Sequence, residues 1–294
     1  MRRVITLVLI LSFIVAGGMS LFAQLGVSSQ RALSETDMFM PLPPDEDGSA
    51  YFYFTNRTRR ATTLSARITE KNFPGGPSDP NWFVQFCFSN VCYLDEGESL
   101  VRLQPNQREE MHIMVLPMAG AKIGEKASIS MDVWPTSDPN MKETFTVYVA
   151  VVEKTELKMV IDSNQVGVKT EAGSQNVTLD VSPFIVAGRT MVPLRFIGEQ
   201  LGAEIGWDNN QRRVTYTLGH MDLYFWVDQR RAQINLGPRF KREVALDVAP
   251  IIREARTFVP VRYVSEFLGA EIGWDNATRT VTVDFPRIVK SELG

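Results

Sequence analysis

Apolar and polar residues alternate in short runs along most of the chain. YFYF, TTLSARI, NWFVQF, SLVRL, EEMHIMVL, ASISMDVW and TFTVYVAVV succeed one another between residues 51 and 153, separated by turn-forming FPGGPSDPN, EGE, QPNQ and TSDPN. Alternation places every second side chain on one face of a strand. About seven such strands in roughly a hundred residues predict a two-sheet β-sandwich. The preceding stretch, 24–50, is polar and proline-rich up to MPLPPDEDGS and reads as a linker, with an edge strand inside it as the alternative.

Beyond Glu153 the pattern becomes a repeat. LDVSPFIVAGRTMVPLRFIGEQLGAEIGWDNNQRRVTYT (179–217) lies without a gap over LDVAPIIREARTFVPVRYVSEFLGAEIGWDNATRTVTVD (246–284), with 23 of 39 positions identical. A period this strong means two copies of one supersecondary unit. VIDSNQVGV and WVDQRRAQI correspond upstream with a one-residue slip, so each unit opens with a hairpin. A β-run then ends at Pro193 or Pro260, a residue suited to the first helical position because it has no N–H to leave unpaired. Leu194, Ile197 and Leu201 (Val261, Val264 and Leu268 in the second copy) form one apolar helix face. Gly202 and Gly269 stand where a helix stops in a left-handed residue. In LGAEIGWDN, alternation sets Ala203, Ile205 and Trp207 against Glu204 and Gly206, and Asp208 or Asp275 opens the next turn. Each unit, 157–218 and 219–286, is therefore expected to pack one short helix on an antiparallel sheet, with a tail at 287–294. In this register Trp207 and Trp274 are expected in the core; exposed, they would be sugar-stacking platforms instead.

The motif D-V-x-P-x-I…R-T-x-V-P-x-R…E-x-L-G-A-x-x-x-W-D…V-T, present twice, resembles the copper amine oxidase N-terminal-domain family over residues 157–286. The resemblance implies a β-rich, non-catalytic, stalk-like module of the kind found in secreted bacterial proteins. It does not imply copper, since the oxidase's catalytic domain supplies the metal-binding histidines and the tyrosine-derived cofactor. The two histidines here, His112 and His220, do not recur between the copies. No cofactor, metal or catalytic residue is expected. Residues from Trp82 through the cysteine pair to VYVAVV resemble immunoglobulin-like domains of secreted bacterial proteins. The expected architecture is thus mainly β: an immunoglobulin-like sandwich over 51–153 followed by two β-rich α+β repeats.

Composition changes this picture little. Apolar residues make up 44% and charged residues 22%, as in an ordinary globular protein. A formal charge of −3, with both signs scattered, gives no basic face for nucleic acid. Arg57 to Arg60 and Arg239 to Arg242 read as solvated turns. Arg2 and Arg3, the apolar run VITLVLILSFIV and the small-residue boundary at Ala23 have the layout of a secretory signal peptide. Cleavage is expected after Ala23, or alternatively after Ser20, with an uncleaved anchor as the remaining alternative. The run is short for a membrane span, so the mature chain is expected without a transmembrane segment, secreted, periplasmic or at the cell surface. In WFVQFCFSNVCY a turn at Ser89 and Asn90 would set Cys87 opposite Cys92, close enough for a cross-strand disulfide.

Three sets of residues could carry chemistry. Glu204 with Asp208, and Glu271 with Asp275, would need to face each other across a cleft to act as acid and base, and their places on strand and turn argue against it. Arg189, Arg256, Arg195 and Arg262 are expected as partners for the helix and nearby loops, with an anion site as the alternative. Tyr51, Phe52, Tyr53, Phe54 and Trp82 cannot all face inward on alternating strands, so some are expected at the surface. The function these features suggest is a non-enzymatic cell-envelope spacer or interaction module. The alternative is a binding protein for cell-wall polysaccharide or peptidoglycan that uses exposed aromatics, its partner a cell-wall polymer or an envelope protein.

Overall fold

A computed structural model of the chain describes residues 25–29, 36–94 and 97–287. The signal-peptide reading of residues 1–23 and the tail from 288 onward lie outside the described residues. Among the described residues ten strands come first: β1 (Leu25–Ser29), β2 (Asp37–Leu42), β3 (Gly48–Asn56), β4 (Thr62–Asn72), β5 (Trp82–Phe88), β6 (Val91–Leu94), β7 (Glu98–Leu103), β8 (Arg108–Pro117), β9 (Lys126–Pro135) and β10 (Glu143–Val151). They form two five-stranded sheets, β1-β3-β8-β5-β6 and β2-β10-β9-β4-β7. Alternation aims Phe52 and Phe54 inward, where both meet Phe145 of the opposite sheet edge-on at ring separations of 5.0 and 5.5 Å. Ser89 and Asn90 adopt left-handed φ values of 53° and 63°, the two-residue hairpin turn that matches strand twist. That turn sets Cys87 opposite Cys92, and the two are disulfide-bonded.

Two expectations are corrected here. The segment 24–50 is not a linker throughout but holds edge strands, as the alternative reading had it, since β1 pairs antiparallel with β3 and β2 pairs parallel with β10. Proline obscured β2 in the sequence, yet Pro41 is tolerated because β2 is the edge of its sheet. Nor do the five aromatics build a surface patch. Phe52, Tyr53, Phe54 and Trp82 are buried. Tyr53, on the outer face, lies beneath the Arg108 guanidinium at 4.2 Å, and Trp82 stacks on Phe73. Tyr51 is half-buried beside His112.

The repeats follow as β11 (Thr155–Val160), β12 (Gln165–Thr170), β13 (Gly173–Thr178), β14 (Phe184–Val186), β15 (Arg189–Pro193), α1 (Leu194–Gln200), β16 (Glu204–Asp208) and β17 (Arg213–Leu218) in the first unit. The second holds β18 (Met221–Trp226), β19 (Arg231–Leu236), β20 (Phe240–Ala245), β21 (Ile251–Arg253), β22 (Arg256–Pro260), α2 (Val261–Leu268), β23 (Glu271–Asp275) and β24 (Thr280–Phe285). The units do not form one sheet each. Their sheets are β13-β12-β11-β24-β23 and β16-β17-β18-β19-β20, so the closing hairpin of each unit pairs with the opening hairpin of the other. A third sheet, β14-β15-β22-β21, joins the units at Val192 opposite Val259, two equivalent positions. A pseudo-two-fold axis therefore passes between these valines.

The bonds around this axis are reciprocal. Arg279 pairs with Asp162 and Arg212 with Asp228; Ile161 N–H donates to the Arg279 carbonyl, and Val227 N–H to that of Arg212. Leu194, Ile197 and Leu201 of α1 and Val261, Val264 and Leu268 of α2 lie in one hydrophobic core with residues of both five-stranded sheets. The two repeats are one interlocked module.

That core also reaches the sandwich. Met38, Met40 and Leu42 of β2 face the sandwich interior, whereas Phe39 faces the module; on β10, Tyr148 and Ala150 do likewise. A strand buried on both faces reads as a continuous apolar run, which is why VYVAVV does not alternate. Arg239 donates to Asp37 and Thr146 at 3.0 and 2.8 Å across the junction. A Cβ at Gly237 would stand 2.3 Å from the Tyr148 hydroxyl.

His220 lies in this junction, its ring 5.3 Å from that of Tyr148. Burial, and then the charge of Lys126, hold its imidazole below the ordinary value. The folded state then binds the proton less readily than the unfolded chain, so stability is full above the unfolded pKa of about 6.5 and falls as pH drops toward the folded value. Melting temperature between pH 7.5 and 5 is expected to fall further for the wild type than for His220→Gln. Equal falls would show that His220 is not the responsible group.

Candidate functional site

Trp207 and Trp274 are not in the core. Their exposures, 47% and 46%, correct the expectation of packing, while Ala203 and Ala270 on the same strand faces are buried. The reason is length. The seven- and eight-residue helices cover about 10 and 12 Å at ~1.5 Å per residue, but Ala203 to Trp207 and Ala270 to Trp274 each span about 13 Å at ~3.3 Å per residue. α1 therefore covers Ala203 and Ile205 and leaves the indole beyond its end. The edge strands β16 and β23 have no further strand to close over the ring.

Each indole instead borders a cleft, and the two clefts match around the pseudo-two-fold axis. The first, about 610 Å³, is lined by Trp207, Ile205, Arg195 and Glu199 of the first unit with Ile252 and Arg256 of the second. The other, about 540 Å³, is lined by Trp274, Ile272, Arg262 and Glu266 of the second unit with Ile185 and Arg189 of the first. Every position in one set is the repeat equivalent of a position in the other. Ile185 and Ile252 are 43% and 45% exposed, so each cleft offers an indole and an isoleucine to solvent. Paired exposed apolar groups in a concavity mark binding surfaces more strongly than scattered ones.

The repeated arginines are largely matched by carboxylates across the units. Arg256 donates to Asp180 through Nε at 3.1 Å and Nη2 at 2.5 Å; Arg189 bonds the equivalent Asp247. The Asp247 carboxyl experiences desolvation, but bonds from Arg189 and Tyr263 outweigh it and hold the group below the usual carboxylate range. On α2, Arg262 donates to Glu266 at 3.0 Å. Arg195 and Glu199 stand at the equivalent places on α1 without such a bond, and both line the first cleft.

The structure does not bring the candidate carboxylate pairs together. Asp208 Oδ1 accepts the backbone N–H groups of Asn210 and Gln211, and Asp275 accepts those of Ala277 and Thr278. The Thr278 hydroxyl, with those amides, keeps the Asp275 carboxyl below the usual range. Both aspartates hold turns, while Glu204 and Glu271 lie exposed at the opposite ends of the same strands. Pro193 and Pro260 immediately precede the helices, and Gly202 and Gly269 take φ of 76° and 91° after them. Among the described residues, no group of three histidine, cysteine or carboxylate side chains converges, so these residues do not fit a copper site.

The clefts' far walls were missed in the sequence. Ile185 and Ile252 are identical in the two copies and follow another apolar residue, Phe184 or Ile251, in a three-residue strand. One of two adjacent apolar residues on such a strand must face outward, and that signal was available.

Residues 140–200 and 171–283 match the family described as Copper amine oxidase N-terminal domain, in two overlapping stretches that accord with tandem copies. No curated protein matches the chain. Among solved structures, a family 123 glycoside hydrolase from Clostridium perfringens is similar at a TM-score of 0.33 and 11% identity, over 43% of this chain and 27% of that one. The N-terminal domain of PorA follows at 0.32 and 15%, over 44% and 97%. The periplasmic chaperone SfaE is similar at 0.28 and 9%, over 56% and 90%. Similarity this low carries no functional inference. Among the described residues no helix is long and apolar enough to cross a membrane.

Proposed function

We propose that this chain, whose C-terminal part belongs to the copper amine oxidase N-terminal domain family, is a non-catalytic cell-envelope module that binds a wall polysaccharide at its two tryptophan clefts. The supporting observation is the duplicated exposure of Trp207 and Trp274, each in a cleft with an exposed isoleucine of the other unit. A tryptophan left half in water at two equivalent places contributes little to folding, whereas large rigid aromatics are the usual anchors of binding surfaces. The Cys87–Cys92 disulfide supports an oxidising, extracytoplasmic compartment. The packed junction supports a second role, in which the module holds the sandwich at a fixed place relative to the polymer.

Sedimentation with purified bacterial cell walls tests the reading. The wild-type protein is expected to pellet saturably, and the Trp207→Ala/Trp274→Ala variant to remain in the supernatant with its melting temperature nearly unchanged. Failure of the wild type to pellet would leave only the spacer role. Equal pelleting of both proteins would place the binding surface elsewhere.

A further inference from the structure

We infer that the two clefts are separate sites of one specificity, each assembled from both units, and that each takes an uncharged N-acetylated pyranose, which makes the chain bivalent for a neutral amino-sugar polymer. The inference rests on the polysaccharide-binding reading and adds ligand class, stoichiometry and construction. Three observations carry it.

The first is charge. In the first cleft, Arg256 is bonded to Asp180, and the unbonded Arg195 and Glu199 add one charge of each sign. In the second, Arg189 is bonded to Asp247 and Arg262 to Glu266, and Arg287 lies in the same lining as Glu271. At Arg256, Arg189 and Arg262 an acidic sugar would have to displace a carboxylate already bonded to the guanidinium, and beside Arg195 it would meet Glu199 as a like charge. An uncharged ligand keeps those pairs and can use their free N–H and oxygen edges for its hydroxyls. The second is shape. An indole on one wall of a cleft and an isoleucine on the other present a flat apolar face and a facing aliphatic contact, suited to the C–H face of a pyranose and the methyl of an acetamido group held between them. The third is construction. Trp207 shares its cleft with Ile252, and Trp274 with Ile185, so neither site exists within one unit.

Titration calorimetry with chitohexaose, a neutral oligomer of N-acetylglucosamine, against the full chain tests each part. Two sites per chain are expected, with one remaining in Trp207→Ala and one in Trp274→Ala. Adding Ile252→Ser to Trp207→Ala should leave that remaining site intact, because both changes fall in one cleft. Adding Ile185→Ser instead should weaken it at least tenfold. The opposite pattern would overturn the shared construction, and a single site in the wild type would overturn bivalence. Oligogalacturonate of equal length should bind at least tenfold more weakly, and raising salt from 50 to 300 mM should change chitohexaose affinity less than threefold. Stronger binding of the acidic oligomer, or a steep salt dependence, would overturn the neutral-sugar assignment. Wall binding that depends on the tryptophans without chitohexaose binding would refute this inference and leave the proposed function standing; absence of wall binding would remove the function itself.

Discussion

Gly198→Ser in α1 is expected to destabilise the protein by about 3 kcal/mol, at the upper end of the cost of overpacking a core. A Cβ there would stand 2.3 Å from Tyr216 Cε1 and 2.4 Å from Ile205 Cδ1. Tyr216 cannot move aside cheaply. It is fully buried, its ring meets Phe225 edge-on at 6.0 Å, and its hydroxyl donates to the Leu194 carbonyl at 2.7 Å. Burial holds that hydroxyl far above the usual phenol range, so it remains a donor. The second unit resolves the same contact differently: Ser265 replaces the glycine and Val283 the tyrosine. Tyr216→Val alone should also cost about 3 kcal/mol, through the cavity it leaves. Combined, the two changes transplant the second unit's pair, and the loss should fall below the sum by more than about 1 kcal/mol. Denaturant unfolding of the four proteins in this cycle measures the coupling. Strict additivity would show that the helix and strand positions do not compensate each other.

The same contact shows what the sequence could and could not reveal. The repeat, helix stripe and hairpins were legible because each depends on local periodicity: Leu194, Ile197 and Leu201 lie where a 3.6-residue period puts them. The fate of Trp207 was not legible. Period two assigns it the face of Ala203 and Ile205, and only the helix's reach in ångströms decides whether that face is covered there. The far wall was harder still, because Ile252 shares a cleft with Trp207 only through the interlocking of the units, and no local pattern states which hairpin pairs with which. Strand β2 was legible only as an alternative, for a related reason. Its residues serve two cores at once, and DMFMPL, bracketed by polar and proline-rich sequence, shows neither alternation nor length.

Interlocking also sets what a single unit can do. Residues 155–218 expressed alone are expected to give no folded monomer. In the full chain β11 depends on β24, β17 on β18 and β15 on β22, pairings that all cross between units. Cut apart, the first unit keeps a three-stranded sheet, β11 to β13, and two isolated hairpins, and two-stranded hairpins are marginal in water. The apolar faces of α1 and its sheet would also lose their counterparts from the second unit in the shared core. Folding of this fragment therefore requires a second copy to supply the missing strands around the Val192–Val259 axis, or the complementary fragment 219–287. Far-UV circular dichroism with sedimentation velocity distinguishes the cases. An unfolded chain, or a symmetric dimer that dissociates and unfolds together on dilution, fits the shared core. A stable folded monomer would contradict it, and with it the inference that both units are needed to build each cleft.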